Sequence, residues 1–243
     1  MEDKENIYFA RYGIMTNSQV QEIAKQTMAY AKSVVCPKMS LIELRQICEA
    51  KMIDLGADSF WYWDIGAFVF SGNETTLSVS GREYKTSSRL IQESDIITID
   101  LSPQKNSMWG DYARTIVIEN GKVVEKLEHI INTEWQNGLK MEKILHEELL
   151  QFVDTTTTFE ELFLYMNRYI VKKGYINLDF MRNLGHSIER EKSNRIYIEK
   201  GNTTKLCDVR MFTFEPHISI KGSAYGFKKE NIYHFNGNKL TEL

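Results

Sequence analysis

The sequence predicts an α+β domain in which helices are interleaved with β-hairpins, and three observations carry that expectation. Stretches 17–35, 40–55, 124–153 and 158–173 place apolar residues at helical spacing. Stretches 58–80, 95–121 and 211–235 are rich in aromatic and β-branched residues separated by turn signals. No repeat, low-complexity tract or linker divides the 243 residues, so one domain over 17–243 behind an extension at 1–16 is the expected organisation.

In the first stretch, NSQVQEIAKQTMAYAKSVV, Asn17 is the expected N-cap and Val20, Ile23, Ala24, Met28 and Ala31 form one apolar stripe. A second helix begins at the capping box Ser40 to Glu43 and stops at Gly56. The segment DSFWYWDIGAFVFSGNETTLSVS then reads as strands and turns, and DIITIDLS and YARTIVIENG as a hairpin joined by the long loop PQKNSMWGD, with a turn at Asn120-Gly121. A helical pattern follows over 124–153 with Gly138 as a weak point, and Thr158 to Glu161 caps a last helix that stops at Lys172-Lys173-Gly174. Two strand-like runs, MFTFEPHISI and FKKENIYHF, end the chain.

Composition narrows the function. A net charge of −3 with basic residues scattered in ones and twos argues against nucleic acid as a partner. No apolar run is long enough to span a membrane, and the charged start MEDKENIYFARYG does not read as a secretory leader. The three cysteines lack CxxC spacing, which points to a reducing compartment, so a cytoplasmic location is expected. The oligomeric state is not legible, and a homodimer stays open.

Four acidic residues occupy unusual places. Asp100 follows the apolar run of IITIDLS and Asp111 opens the second strand of the same hairpin, whereas Glu215 interrupts MFTFEPHI and Glu230 starts ENIYHF. Each has an ordinary explanation: a turn cap at Asp100, an exposed Asp111 beside Gly110, a Glu215 paired with Arg114 or Arg210, a solvated strand end at Glu230. If they are buried together, their mutual repulsion and lost hydration require a cation. Two divalent ions about 3.5–4 Å apart would resolve this, with His186 of NLGHSIERE as the imidazole that completes the set.

Asp100, Asp111, Gly185-His186, Glu215-Pro216 and Glu230, in that order, resemble the metallopeptidase family of methionine aminopeptidases, Xaa-Pro aminopeptidases and creatinase. The similarity runs from about residue 17 to the end. CPKMSLIEL resembles the family's "pG-t-eL", DIITIDL with DYARTIVI its "iDlG...sDitRT", FTFEPHI its "fTiEPgi" and FKKEN its "vriEd". The resemblance implies a pita-bread fold: a curved antiparallel sheet with helices on its outer face, in two pseudo-symmetric halves, without the extra N-terminal domain of prolidases and creatinases. It further implies a dinuclear metal-dependent hydrolase acting on an N-terminal peptide bond, Xaa-Pro or similar, or on a small amide. Asp100, Asp111, His186, Glu215 and Glu230 would ligate two divalent ions (Mn, Co, Fe or Zn), Glu215 would shuttle the proton, and Arg114 and Thr115 would support the ligands.

Two family features are missing. The histidine that the family carries upstream of the first Asp, in "alpHy", is replaced by TTLSVSGREY with Ser78 or Ser80, and the one after Gly-His would fall near Ser193. Both normally help to stabilise the tetrahedral intermediate. His217 has the strand parity to replace one of them, while His129, His146 and His234 read as structural or surface residues. Glu189, Arg190 and Glu191 read either as a solvated run or as an altered pocket wall. Three functions are therefore compared: an aminopeptidase-like hydrolase, a relative that binds a peptide or protein without turnover, and a creatinase-like enzyme for a small nitrogenous metabolite.

Overall fold

The computed structural model describes residues 16–243; all but Thr16 of the expected extension 1–16 lies outside them. Helix α1 (Asn17–Val34) is capped by Thr16, not Asn17, in a reciprocal box with Gln19. The Asn17 side chain instead donates to the Trp109 carbonyl at 3.1 Å. Helix α2 (Leu41–Asp54) starts at the Ser40–Glu43 box as expected. The strands that follow are β1 (Ser59–Phe60), β2 (Ala67–Ser71), β3 (Asp95–Leu101), β4 (Pro103–Lys105), β5 (Met108–Trp109), β6 (Tyr112–Glu119) and β7 (Lys122–Val123). The expected long loop 103–111 is thus largely itself a hairpin, β4 against β5, turned at Asn106 and Ser107, which both have positive φ.

The second half begins later than the pattern suggests. Residues 124–132 are irregular with one 3-10 turn, and α3 (Thr133–Phe152) is capped by Asn132. Helix α4 (Phe159–Lys172) follows its Thr158–Glu161 box, and then come β8 (Tyr175–Asn177), β9 (Phe212–Phe214), β10 (His217–Ile220), β11 (Phe227–Lys228), β12 (Asn231–Asn236) and β13 (Lys239–Glu242).

All strand pairs among the described residues are antiparallel, in the orders β2-β3-β6-β7, β1-β4-β5, β13-β12-β9 and β11-β10-β8. Strand parity sorts the first half. Ile97, Ile99 and Leu101 of β3 pack with Ile116 and Ile118 of β6 against Ala24, Met28, Leu44 and Cys48 of α1 and α2. Their alternates Thr98 and Asp100 therefore face the other way, into an open cavity. Ile96 and Val117 join a second core, where α3 and α4 contribute Leu145, Leu149, Leu162 and Met166 and the C-terminal strands contribute Phe212, Phe214 and Tyr233. Each such buried side chain contributes about 1.5–3 kcal/mol of apolar transfer.

Both long C-terminal runs bend as they pass from one sheet to the next. β9 pairs with β12, and β10, which continues β9 after two residues, pairs with β11, which precedes β12 by the same gap. The breaks fall at Glu215-Pro216 and Lys229-Glu230. Proline lacks the amide that a continuous ladder would need, so Glu215 leaves the strand alternation where the sheet turns. Helix α3 lies close behind: a Cβ on Gly138 would meet the Phe227 ring at 2.1 Å.

Candidate functional site

The cavity has a volume of about 400 Å³ and lies between the two halves. At its base the structure brings Asp100, Asp111, His186 and Glu215 together, with the fully buried Glu230 against them. Asp111 is fixed by its backbone: its N–H donates to the Gln21 side-chain oxygen and its carbonyl accepts from the same amide group, both at 2.8 Å. His186 sits in an extended segment beside β9, where its N–H donates to Thr213 Oγ1 and its carbonyl accepts from Thr213 N–H. Gly185 has φ +139°, and a Cβ there would lie 2.2 Å from the Thr213 carbonyl oxygen, so no side chain fits. Of the imidazole nitrogens, Nδ1 donates to the Ser187 carbonyl at 2.9 Å. Nε2 points toward Asp111 Oδ2 at 3.5 Å and Glu215 Oε1 at 4.0 Å.

Oxygen and nitrogen atoms of Asp111, His186 and Glu230 lie within 4.8 Å of one another, and so do oxygens of Asp100, Glu215 and Glu230. Asp111 Oδ2 and both carboxylate oxygens of Glu230 are buried without a hydrogen-bond partner. Burial, against the pull of His186, raises the Asp111 carboxyl to about 6. Burial and the neighbouring Asp111 and Glu215 push Glu230 well above the carboxylate range.

Arg114 and Thr115 hold this cluster through main-chain atoms. Arg114 donates to the Glu230 carbonyl and to Asn231 Oδ1, both at 2.7 Å, and its guanidinium stacks on Tyr112 at 3.7 Å. Thr115 Oγ1 accepts from Lys228 N–H at 2.9 Å and lies 2.5 Å from Glu142. Neither reaches a ligand carboxylate, so their support acts on the Lys228–Asn231 backbone.

Sequence reasoning missed Lys228. Its Nζ lies 2.5 Å from Asp100 Oδ2, 2.9 Å from Glu215 Oε2 and 3.9 Å from Glu230 Oε2. Burial alone would favour the neutral amine, but the three carboxylates hold the ammonium well above its ordinary range. Burial would likewise raise Glu215, and Lys228 and then His186 reverse this, leaving it lowered. Lys228 stands two residues before Glu230 in FKKEN, and that spacing, which puts two residues of an extended chain on one face, was the available signal.

The walls divide by polarity. Phe68, Phe70, Leu77 and Phe180 are apolar, whereas Arg195 lies over the rings of Trp61, Tyr62 and Tyr197 at 4.9, 5.5 and 5.5 Å. Ser78 lines the cavity where the family's upstream histidine was expected. Ser193 lies exposed in a 3-10 turn, and Arg195, two residues on, reaches the cavity in its stead. His217 also lines the cavity, but its Nε2 donates to the Thr75 carbonyl at 2.7 Å and burial lowers it to about 4, so Nδ1 faces outward as an acceptor. Arg190 and Glu191 are exposed, and the run Glu189–Glu191 does not contribute to the cavity wall. His146 is structural, donating to the Lys229 carbonyl and accepting from Tyr233.

The profile of metallopeptidase family M24 matches residues 17–236. The chain belongs to this family. Among solved M24-like structures, an X-Pro aminopeptidase from Thermotoga maritima superposes with a TM-score of 0.75 at 21% identity, over 92% of this chain and 58% of that one. The prolidase from Pyrococcus furiosus gives 0.76 at 20%, over 92% and 61%. A methionine aminopeptidase from Rickettsia prowazekii gives 0.65 at 15%, over 90% and 92%. These likenesses establish the pita-bread α+β fold. The chain spans about three fifths of the length of the first two. A search of curated protein sequences returns no match.

M24 enzymes use divalent metal ions, and the donors present here fit one such ion well. Three partnerless, buried carboxylate oxygens beside Nε2 of His186 form an oxygen-rich, single-imidazole set on the Asp111–His186–Glu230 side. On the Asp100–Glu215 side the same need is met by Lys228.

Proposed function

We propose that the chain is a metal-dependent hydrolase that cleaves the N-terminal peptide bond of a short peptide, Xaa-Pro or similar, or the amide bond of a small molecule. The observation that carries this reading is the set of partnerless carboxylate oxygens beside Nε2 of His186 at the base of a cavity sized for a few residues. Asp111, His186 and Glu230 would hold the ion, which when bound supplies Lewis-acid polarisation and an acidified water.

The chain's own groups supply the rest. Glu215, kept ionised by Lys228 and His186, is placed to take a proton at its carboxylate and pass it to the departing amine. Arg195, which has no ion-pair partner among the described residues, offers donors to a substrate carbonyl or carboxylate. The apolar wall of Phe68, Phe70, Leu77 and Phe180 would receive the proline or other apolar side chain. His217 would accept from the substrate at Nδ1; with its one proton committed to Thr75 it is not a spare oxyanion donor. No helix of the described residues is long and apolar enough to cross a membrane, and three free thiols suit a reducing, cytoplasmic setting.

One observation favours a second reading, a peptide-binding relative without turnover: Lys228 stands among the carboxylates. The two separate by incubating purified protein with Mn²⁺, Co²⁺ or Zn²⁺ and a panel of Xaa-Pro dipeptides and small amides. Turnover that follows metal content and disappears in Asp111→Ala supports the hydrolase. Metal-loaded protein that binds these ligands and cleaves none of them leaves only the binding reading.

A further inference from the structure

Lys228 is not a surface lysine folded inward. Its side chain is 18% exposed, and its backbone is pinned on both sides, by Thr115 Oγ1 at its own N–H and by the Ala113 carbonyl at the Glu230 N–H. The register that pairs Lys228 with His217 fixes which face of β11 it occupies. From there Nζ reaches Asp100 Oδ2 at 2.5 Å and Glu215 Oε2 at 2.9 Å, with Glu230 Oε2 at 3.9 Å. Those are the same three carboxylates whose oxygens converge closely enough to hold one ion.

We propose that the Lys228 ammonium is a built-in cation that takes the place of one of two divalent ions, leaving a single metal position at Asp111, His186 and Glu230. The proposal rests on the metal-dependent reading above and specifies its stoichiometry. Charge supports it. Four carboxylates balance two divalent ions, but two ions together with an ammonium would leave a buried surplus of positive charge and press an ion against Nζ. One ion with the ammonium leaves one negative charge, which fits a site that must also meet a substrate's ammonium group. Hydrogen bonding supports it as well: Asp100 Oδ2 and Glu215 Oε2 are met by the ammonium at 2.5 and 2.9 Å, whereas Asp111 Oδ2 and both oxygens of Glu230 are buried without a hydrogen-bond partner. A lysine cannot carry an acidified water, so the site would work with one metal.

The test is a count of Mn²⁺ bound per chain, by elemental analysis after equilibrium dialysis and by calorimetric titration, for the wild type, Lys228→Met and Lys228→Gln. Both variants are checked for folding by thermal melting with and without Mn²⁺. One ion in the wild type and two in either folded variant is the expected result, together with a larger upward shift of the melting midpoint on adding Mn²⁺ in the variants than in the wild type. No ion in the wild type overturns the proposal and the metalloenzyme reading of the native chain together, whatever the variants bind. Equal counts in the wild type and a folded variant overturn the proposal: at one or two ions the metal-dependent hydrolase still stands, and at zero it falls too. Should Lys228→Met not fold, Lys228→Gln, which keeps most of the stem and loses the charge, decides alone. Two ions in the wild type overturn the proposal whatever the variants do.

Discussion

Nε2 of His186 and Oδ2 of Asp111 face each other across 3.5 Å, beyond the usual hydrogen-bond range of about 2.7–3.2 Å, with Oδ2 buried and partnerless. The opposite ring nitrogen is tied to the Ser187 carbonyl, so the ring edge that faces Asp111 is fixed there by the fold. This is how an imidazole is presented to a metal.

Replacing His186 by alanine is therefore expected to weaken Mn²⁺ binding by on the order of 100-fold or more, since losing even a supporting residue outside the ligands typically costs 10–100-fold. Calorimetric titration of wild type and variant checks this. Unchanged affinity would remove His186 from the metal site.

The lone arginine on the cavity wall gives a kinetic prediction. Arg195 rests on Trp61, Tyr62 and Tyr197 without an ion-pair partner among the described residues; its Nε donates to the Lys192 carbonyl at 3.2 Å, which leaves the two terminal nitrogens for substrate. Arg195→Ala is expected to raise KM for peptides with a free carboxylate by about tenfold or more, the equivalent of a charge-assisted hydrogen bond of about 1.5–3 kcal/mol. Arg195→Lys should recover part of the loss. If both variants lower kcat and leave KM alone, the residue acts on the reaction step and not on binding.

Gly185 gives a structural prediction. A methyl group there would meet the Thr213 carbonyl at 2.2 Å, at a φ of +139° that L residues rarely adopt. Gly185→Ala is expected to destabilise the protein by at least about 1–3 kcal/mol from backbone strain alone and to lower metal affinity, because the segment that carries His186 must shift. Denaturant unfolding and metal titration of the same sample check both. A stable variant with intact binding would show that the strand spacing is adjustable.

A pH effect comes from Glu142 on α3. It is almost fully buried, and burial raises its carboxyl from 4.5 to about 7 against the pull of the Thr115 hydroxyl and of Lys229 and Arg114. Between these values the folded chain keeps a proton that the unfolded chain releases. Its stabilising effect is complete below about pH 4.5 and is lost as pH rises through 7. Glu142→Gln removes that dependence, so its stability relative to wild type should grow between pH 5 and 8, by on the order of 2–3 kcal/mol. A difference that stays flat across that range would mean that Glu142 titrates normally.

Much of this was legible in the residues themselves. Capping boxes at Ser40 and Thr158, the Asn120-Gly121 turn and the stops at Gly56 and Gly174 are local chemistry, and local chemistry decides them. The stretch 124–132 did not follow its helical pattern, because Glu119 accepts from the amides of Ile131 and Asn132 and so holds the chain outside α3 until Asn132 caps it. The spacing of Asp100, Asp111, Gly185-His186, Glu215 and Glu230 placed this chain beside the metallopeptidases, because such chemistry tolerates few other side chains. Tertiary structure alone decided what those side chains meet. Parity along β3 and β6 aims Asp100 into the cavity, but only the bends at Glu215-Pro216 and Lys229-Glu230 bring two further carboxylates to the same point. Only the pinning of Lys228 across 113 residues by Thr115 sets an ammonium among them. Where a long, mobile side chain puts its charge depends on neighbours remote in sequence, and no local pattern encodes it.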